Sequence, residues 1–348
     1  MVTKIDDIEA PPGSASDAER RVHYRRAVDA SVFCSCRELR RFYLPVVLAG
    51  HSIEAYRNKM LWGRLLELQA DGVLHKLGVS CCSPDEALEV LEDPLVEHIQ
   101  IPFNLLDWRW RDERVQQRLK ERLDVTVHAR SIFLQGLLLS PATVYPEVEG
   151  VEADIIVGTL ERLAERLGCA NRKQLVLAYC LSEQHRWIHT FLLGIVTMGQ
   201  LQENLADLQV RAPLTQEECH IVEEEVGCLQ ESGCLPDALL NPHLWPKRNV
   251  LSPVPAANTQ ENENQLPPAP KESCTCLAQS NNVACICGMD QHCTSLAPSC
   301  PGISLYVGNP PLGSTASTEQ SLAKLIQEAE LDVYQVYFQN LPGPSCLG

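Results

Sequence analysis

The sequence predicts an α/β protein in which repeated βα units build a parallel sheet. Three observations carry this expectation. From residue 1 to about 246, short β-branched apolar runs alternate with longer stretches whose apolar residues recur every three or four positions. Helix start and stop signals fall between those runs. The chain has 348 residues, 45% of them hydrophobic, which is enough to bury a core of barrel size.

Taken in order, the first strand is Val2 to Lys4, followed by a helix near 18–40. Pro45 to Ala49 leads to a helix near 58–71, and Lys76 to Ser80 to one near 84–92. Val96 to Pro102 precedes a helix near 111–122, and Asp124 to Ala129 precedes helical patterning over 153–182. His189 to Gly194 is the sixth strand, with a helix near 198–207. Ser83, Pro84 and Glu86 read as a capping box with proline at the first helical position. Thr215 and Glu218 repeat the capping pattern at the start of an acidic helix, Thr215 to Leu229, that reads as a solvated face. Gly168 stops the helix through Leu160 to Leu167, and Asn171 with Gln174 opens the next.

A formal charge of −16 argues against partners that demand a positive surface, so neither nucleic acid nor an anionic membrane is expected. No apolar run reaches the roughly 18 to 20 residues of a membrane span. The first thirty residues carry charges where a signal peptide would be apolar. A cytoplasmic protein is therefore expected. Nine of the 16 cysteines fall within the first 234 residues, in helix and strand patterns such as Cys81, Cys82 and Cys180, and read as buried free thiols.

From 247 the composition turns to Ser, Pro, Asn, Gln and Cys, so 247–302 is expected to be a disordered linker. Residues 274–300 hold six cysteines and His292, but the C-x-C pairs have one intervening residue where zinc ligands want two to four, so no metal site is expected. Residues 303–348 form a small segment of unassigned role. Tyr306 lends it a faint likeness to an RNA-recognition sheet, and a docking helix from Thr318 to Glu330 is the simpler reading.

Four stretches, HKLGVSCCSPDEALEVLEDPLVEHIQIPFNLLDWRW, VHARSIFLQGLLL, LLGIVTMGQLQENL and LLNPHLWP, resemble in order and spacing the central and C-terminal parts of the aldo-keto reductases. The resemblance spans about 1–246. It implies a (β/α)8 barrel of the TIM type that this chain enters at the third strand. About six of eight units would then be visible, followed by a poorly ordered C-terminal extension. It also implies reduction of an aldehyde or ketone, a small-molecule carbonyl substrate, by hydride from NADP(H). Oligomeric state is left open.

In that family a tyrosine donates the proton and a lysine, a histidine and an aspartate tune it. A phenol of pKa near ~10 needs a nearby cation to release its proton at neutral pH. MVTKIDD resembles the third strand, which implies the lysine role for Lys4, and LPVVLAGHSIEAY resembles the fourth, which implies the histidine role for His51. Nothing matches the D-x-A-x-x-Y-G stretch that carries the aspartate and tyrosine, and Tyr24, Tyr43 and Tyr56 stand elsewhere. The chain is therefore expected either to be a truncated reductase or to be a non-catalytic nucleotide-binding or regulatory protein derived from that fold.

The cofactor residues are implied in the same way. Ser80 and Gln100 match positions that hydrogen-bond the nicotinamide carboxamide, with Cys81 where the family has asparagine. HARSIFLQGLL resembles the loop passing ribose and diphosphate, which implies Ser131, Leu134 and Gly136. Arg130 could add a positive charge there. GIVTMGQLQEN resembles the adenosine-phosphate loop and implies Gly194, Gln200 and Asn204, the last two a helical turn apart. No basic residue selects a 2′-phosphate near Thr197 and Met198, so the preference for NADP over NAD comes from the resemblance alone.

Overall fold

A computed structural model describes residues 1–5, 7–195, 198–246, 302–308 and 333–339. The strands are β1 Thr3–Lys4, β2 Leu44–Leu48, β3 Leu74–Ser80, β4 His98–Pro102, β5 Thr126–Arg130, β6 Thr190–Ile195, β7 Gly302–Gly308 and β8 Val333–Gln339. They form one parallel sheet in chain order. The six strands expected from the sequence are all present, with ends shifted by one or two residues. β1 to β6 curl into a half-barrel flanked by helices, as an incomplete (β/α)8 barrel requires.

The strands form where apolar residues can be buried. All five positions of β4 are buried, the near-continuous burial of a parallel strand covered on both sides. The helices are α1 Asp17–Glu38, α2 Ile53–Arg57, α3 Lys59–Ala70, α4 Pro84–Leu91, α5 Glu113–Glu121, α6 Ala153–Arg166, α7 Arg172–Cys180, α8 Met198–Val210 and α9 Gln216–Glu231. α1 buries Tyr24, Val28, Val32 and Cys36, one stripe at four-residue spacing. Arg64 of α3 fixes α1 by an ion pair to Asp29 at 2.7 Å.

At α9 the Thr215 hydroxyl accepts from the Glu218 N–H at 3.3 Å and the Glu218 carboxylate accepts from the Thr215 N–H at 2.8 Å, a complete capping box. Only half of one exists at α4. Ser83 Oγ accepts from Glu86 N, but the Glu86 carboxylate accepts from Cys82 N at 2.6 Å, so the reciprocal bond expected at Ser83 is replaced by one to the residue before it. Gly168, at φ +67°, ends α6, and Asn171 opens α7 by accepting from Gln174 N at 2.9 Å. The helical pattern over 153–182 is thus two helices.

The nine described cysteines are free thiols, six of them buried. Among the described residues no helix is long and apolar enough to cross a membrane. The chain divides into a unit of Met1–Pro246 with Cys300–Gly348 and a unit of Lys247–Ser299. The second unit, the six clustered cysteines of 274–300 and the helix expected at 318–330 lie outside the described residues.

The interior between β3 and β6 holds an unusual density of imidazole. His98 of β4 and His128 of β5 are buried with ring centroids 4.3 Å apart, edge to face. His189 Nδ1, just before β6, accepts from the Val127 N–H at 3.1 Å. Burial drives His98 well below the usual imidazole range, His128 to about 3 and His185 to about 4, and also lowers His189. Gly78 of β3 lies opposite His98, where a Cβ would stand 2.4 Å from the His98 carbonyl oxygen and 2.7 Å from Leu48 Cδ2. Only glycine allows that strand approach.

Two outcomes follow. The unfolded chain protonates these histidines below about pH 6.5 while the folded one resists, so stability is full above that pH and falls as pH drops toward about 3. Each such histidine costs up to ~1.4 kcal/mol per pH unit. Urea midpoints between pH 7.5 and 5 measure it, and a flat profile would refute the buried neutral cluster. Gly78→Ala is expected to cost about 1–3 kcal/mol or more, because backbone must move to admit the methyl group. Equal urea midpoints for variant and parent would contradict this.

Candidate active site at the strand ends

A parallel sheet brings the C-terminal ends of its strands to one rim, and the loops leaving them define the cleft. Here the rim holds Lys4 at the end of β1, Ser80 at the end of β3 and Arg130 at the end of β5. Gln100 lies within β4, opposite Ser80 on one side and His128 on the other.

The Lys4 ammonium is largely desolvated. Burial, reinforced by the Arg130 charge, brings it down to about 8, while Cys82 and Asp7 oppose the shift. Asp7 therefore lies close to Lys4, and its Oδ1 is 3.2 Å from His51 Nδ1. His51 is exposed and follows a turn at Gly50, φ +85°, where a Cβ would meet Ala55 Cβ at 2.9 Å. Asp7 bonds to His51 and its charge acts on Lys4, and no sequence motif marked it.

Ser80 is fully buried, and its Oγ has no hydrogen-bond partner among the described residues. A buried hydroxyl left unpaired is costly and calls for a ligand or water. Gln100, 5% exposed, stands beside it. Cys81 takes the position of the family asparagine, its N–H donates to the Gln100 carbonyl at 2.9 Å, and burial pushes its thiol well up. Cys82 Sγ receives a long contact of 3.5 Å from an Arg130 nitrogen.

The loop after β5 is strained. Ser131, Leu134 and Gln135 have φ of 62°, 47° and 57°, and Gly136 follows at 83°. Left-handed backbone at residues with a Cβ costs on the order of 1–3 kcal/mol each and clusters at ligand sites. Leu134 buries its side chain, so it can offer a ligand only backbone. Arg172 clasps this loop by donating to the carbonyls of Leu138, Leu139 and Ser140 at 3.1, 3.2 and 3.0 Å. That role was invisible in the sequence, since Arg172 lies more than thirty positions from its partners.

Near the end of β6, Gly194 is exposed and a Cβ there would touch nothing within 4 Å among the described residues. In α8, Gln200 is exposed and Asn204, one turn on, is buried. α8 is held to α7 by Asp207, which pairs with Lys173 at 2.7 Å and accepts from Gln174 at 3.1 Å. Thr197, where a 2′-phosphate would be sensed, lies outside the described residues.

The structure thus gathers Lys4, Ser80, Gln100 and the 131–136 loop along one rim and continues them to Gly194 and α8. An orphaned buried hydroxyl, a left-handed loop and an open glycine suit an extended dinucleotide. Among the described residues no group of three His, Cys, Asp or Glu side chains could hold a metal ion.

The chain matches the family model of the aldo/keto reductase family over residues 2–226. Among solved structures it is similar to aldo-keto reductase AKR11C1 from Bacillus halodurans. The holo form is 23% identical over 59% of this chain and 67% of that one, with a TM-score of 0.44. The apo form is 22% identical over 64% of this chain and 81% of that one, with a TM-score of 0.45. A search of curated proteins gives no match. With the family model covering residues 2–226 of 348, the chain belongs to the aldo/keto reductase family.

Proposed function

We propose that this chain binds NADP(H) along the ends of β3 to β6 and reduces an aldehyde or ketone beside Lys4. The observation that carries this reading is the unpaired, fully buried Ser80 hydroxyl next to Gln100, a polar pair in an otherwise apolar wall. Ser80 and Gln100 would hold the nicotinamide carboxamide. The left-handed backbone from Ser131 to Gly136 would accept the ribose and diphosphate, and Gly194, Gln200 and Asn204 the adenosine half. When bound, the cofactor supplies the hydride.

The protein's part is the proton. Lys4 holds one near neutrality, because burial and the Arg130 charge bring the ammonium to about 8. A group poised near the working pH can yield a proton to the developing alkoxide, or make a neighbouring hydroxyl yield one. Asp7 beside Lys4 and 3.2 Å from His51 keeps both basic groups at the same edge of the cleft, with His51 set to orient the carbonyl oxygen. The buried wall of Ser80 and Cys81 excludes water from the same space.

NADPH fluorescence titration followed by a carbonyl-reduction assay tests the reading. Ser80→Ala is expected to weaken NADPH binding by about five- to tenfold, the loss of one buried hydrogen bond. Lys4→Met is expected to abolish turnover while the NADPH Kd changes by less than about threefold, since a proton-handling group adds little to ground-state binding. For the parent chain, kcat/KM for reduction should hold below pH 8 and fall above it as Lys4 loses its proton. Binding without turnover would leave a nucleotide-binding protein, and no binding would remove the proposal altogether.

A further inference from the structure

We infer that the carbonyl substrate of this site carries an oxyanion, a carboxylate or phosphate, which Arg130 receives beside Lys4. The inference rests on the reading of the cleft given above and adds the chemical class of its substrate.

The argument begins with how this chain treats its other sheltered arginines. Arg64 pairs with Asp29 at 2.7 Å, Arg109 with Asp107 at 2.7 Å, Arg122 with Asp124 at 2.8 Å and Arg211 with Glu218 at 2.8 Å. Arg130 is half-buried too, yet among the described residues it forms no ion pair. Its two hydrogen bonds go to neutral atoms and are long, 3.5 Å to Cys82 Sγ and 3.4 Å to Ser131 Oγ. Its Nε is buried with no partner among the described residues; Arg211 Nε is too, but Arg211 also pairs with Glu218. A guanidinium taken from water without a carboxylate is costly, and its planar fork fits an oxyanion in two-pronged fashion.

A second cation sharpens the case. Lys4 stands close enough to Arg130 for the two charges to repel, and among the described residues Lys4 also forms no ion pair. Asp7, whose charge acts on Lys4, is 80% exposed in its side chain and bonded to His51. Among the described residues, two cations therefore stand at the ends of β1 and β5 with no ion pair to either. An arriving oxyanion would relieve that repulsion and satisfy the Arg130 Nε in one step. Because Arg130 sits beside Lys4, where the carbonyl is reduced, the anion belongs to the substrate and not to the cofactor diphosphate farther along the 131–136 loop.

The test uses the full chain and two aldehydes of like shape, 4-carboxybenzaldehyde and its neutral methyl ester. The parent should prefer the carboxylate by about tenfold or more in kcat/KM, mostly through KM. Arg130→Met should remove most of that preference and Arg130→Lys restore part of it, with circular dichroism confirming that both variants fold. Calorimetric titration with benzoate and benzamide gives a readout free of turnover. Benzoate binding that depends on Arg130 supports the anion site even if the chain reduces nothing, in which case only the reductase reading fails. Reduction of both aldehydes with no carboxylate preference overturns the inference and leaves the reductase reading standing. Loss of NADPH affinity in Arg130→Met with an unchanged substrate ratio also overturns it, by assigning Arg130 to the cofactor. Neither benzoate binding nor turnover rejects both.

Discussion

The parallel ladder from β1 to β6 is the constraint on which everything else depends. Parallel pairing forces each strand to finish on the same side, so Lys4, Ser80 and Arg130, far apart in sequence, become neighbours without any contact having to draw them together. The ladder in turn depends on one close approach. At Gly78 the β3 backbone lies so near His98 of β4 that no side chain fits between them. If that register slipped by one residue, Ser80 would turn from the cleft to the opposite face of the sheet.

The same sheet separates two kinds of polar burial. Toward its interior, His98 and His128 meet edge to face, and burial keeps them neutral at ordinary pH. At the rim the polar groups are left incomplete. Ser80 lacks a partner, Arg130 and Lys4 lack a buried counter-ion among the described residues, and three non-glycine residues between 131 and 135 hold left-handed backbone. Each of these features costs stability, and they occur together along one edge. Their support comes from outside the cleft, through Arg172 on the strained loop and Asp207 between α7 and α8. Unsatisfied chemistry held by well-satisfied surroundings is what a ligand site requires.

β7 and β8 extend the ladder beyond β6 with the same parallel direction. A lone parallel strand at an open edge exposes a full row of backbone donors and acceptors, and Thr190–Ile195 would present such an edge. Gly302–Gly308 pairs along it from Thr190 to Ile195. The stretch read from composition as a small segment of unassigned role therefore shares the sheet with the rest of the fold at these two strands.

Local chemistry was enough to read much of this in the sequence. Strand positions followed from β-branched runs, and α7 and α9 from their caps, because those signals act over a few residues and do not need the rest of the chain. The half-box at Ser83 shows the limit, since Glu86 turned to the Cys82 N–H in place of the bond its spacing suggested. Lys4, Ser80, Gln100 and the 131–136 loop were legible only through resemblance; the structure puts Lys4 and Ser80 at strand ends, Gln100 within β4 and the loop after β5. The sequence by itself determined the βα alternation, the strand ends and the acid-base residue types available at them. Only the tertiary structure decided which charges meet. That Asp7 joins His51, that Arg172 holds the stretch after β5, and that Lys4 and Arg130 end strands of one sheet without an ion pair among the described residues are facts about separation in space. Coulomb and hydrogen-bond energies depend on such distances and on burial, neither of which spacing along the chain encodes.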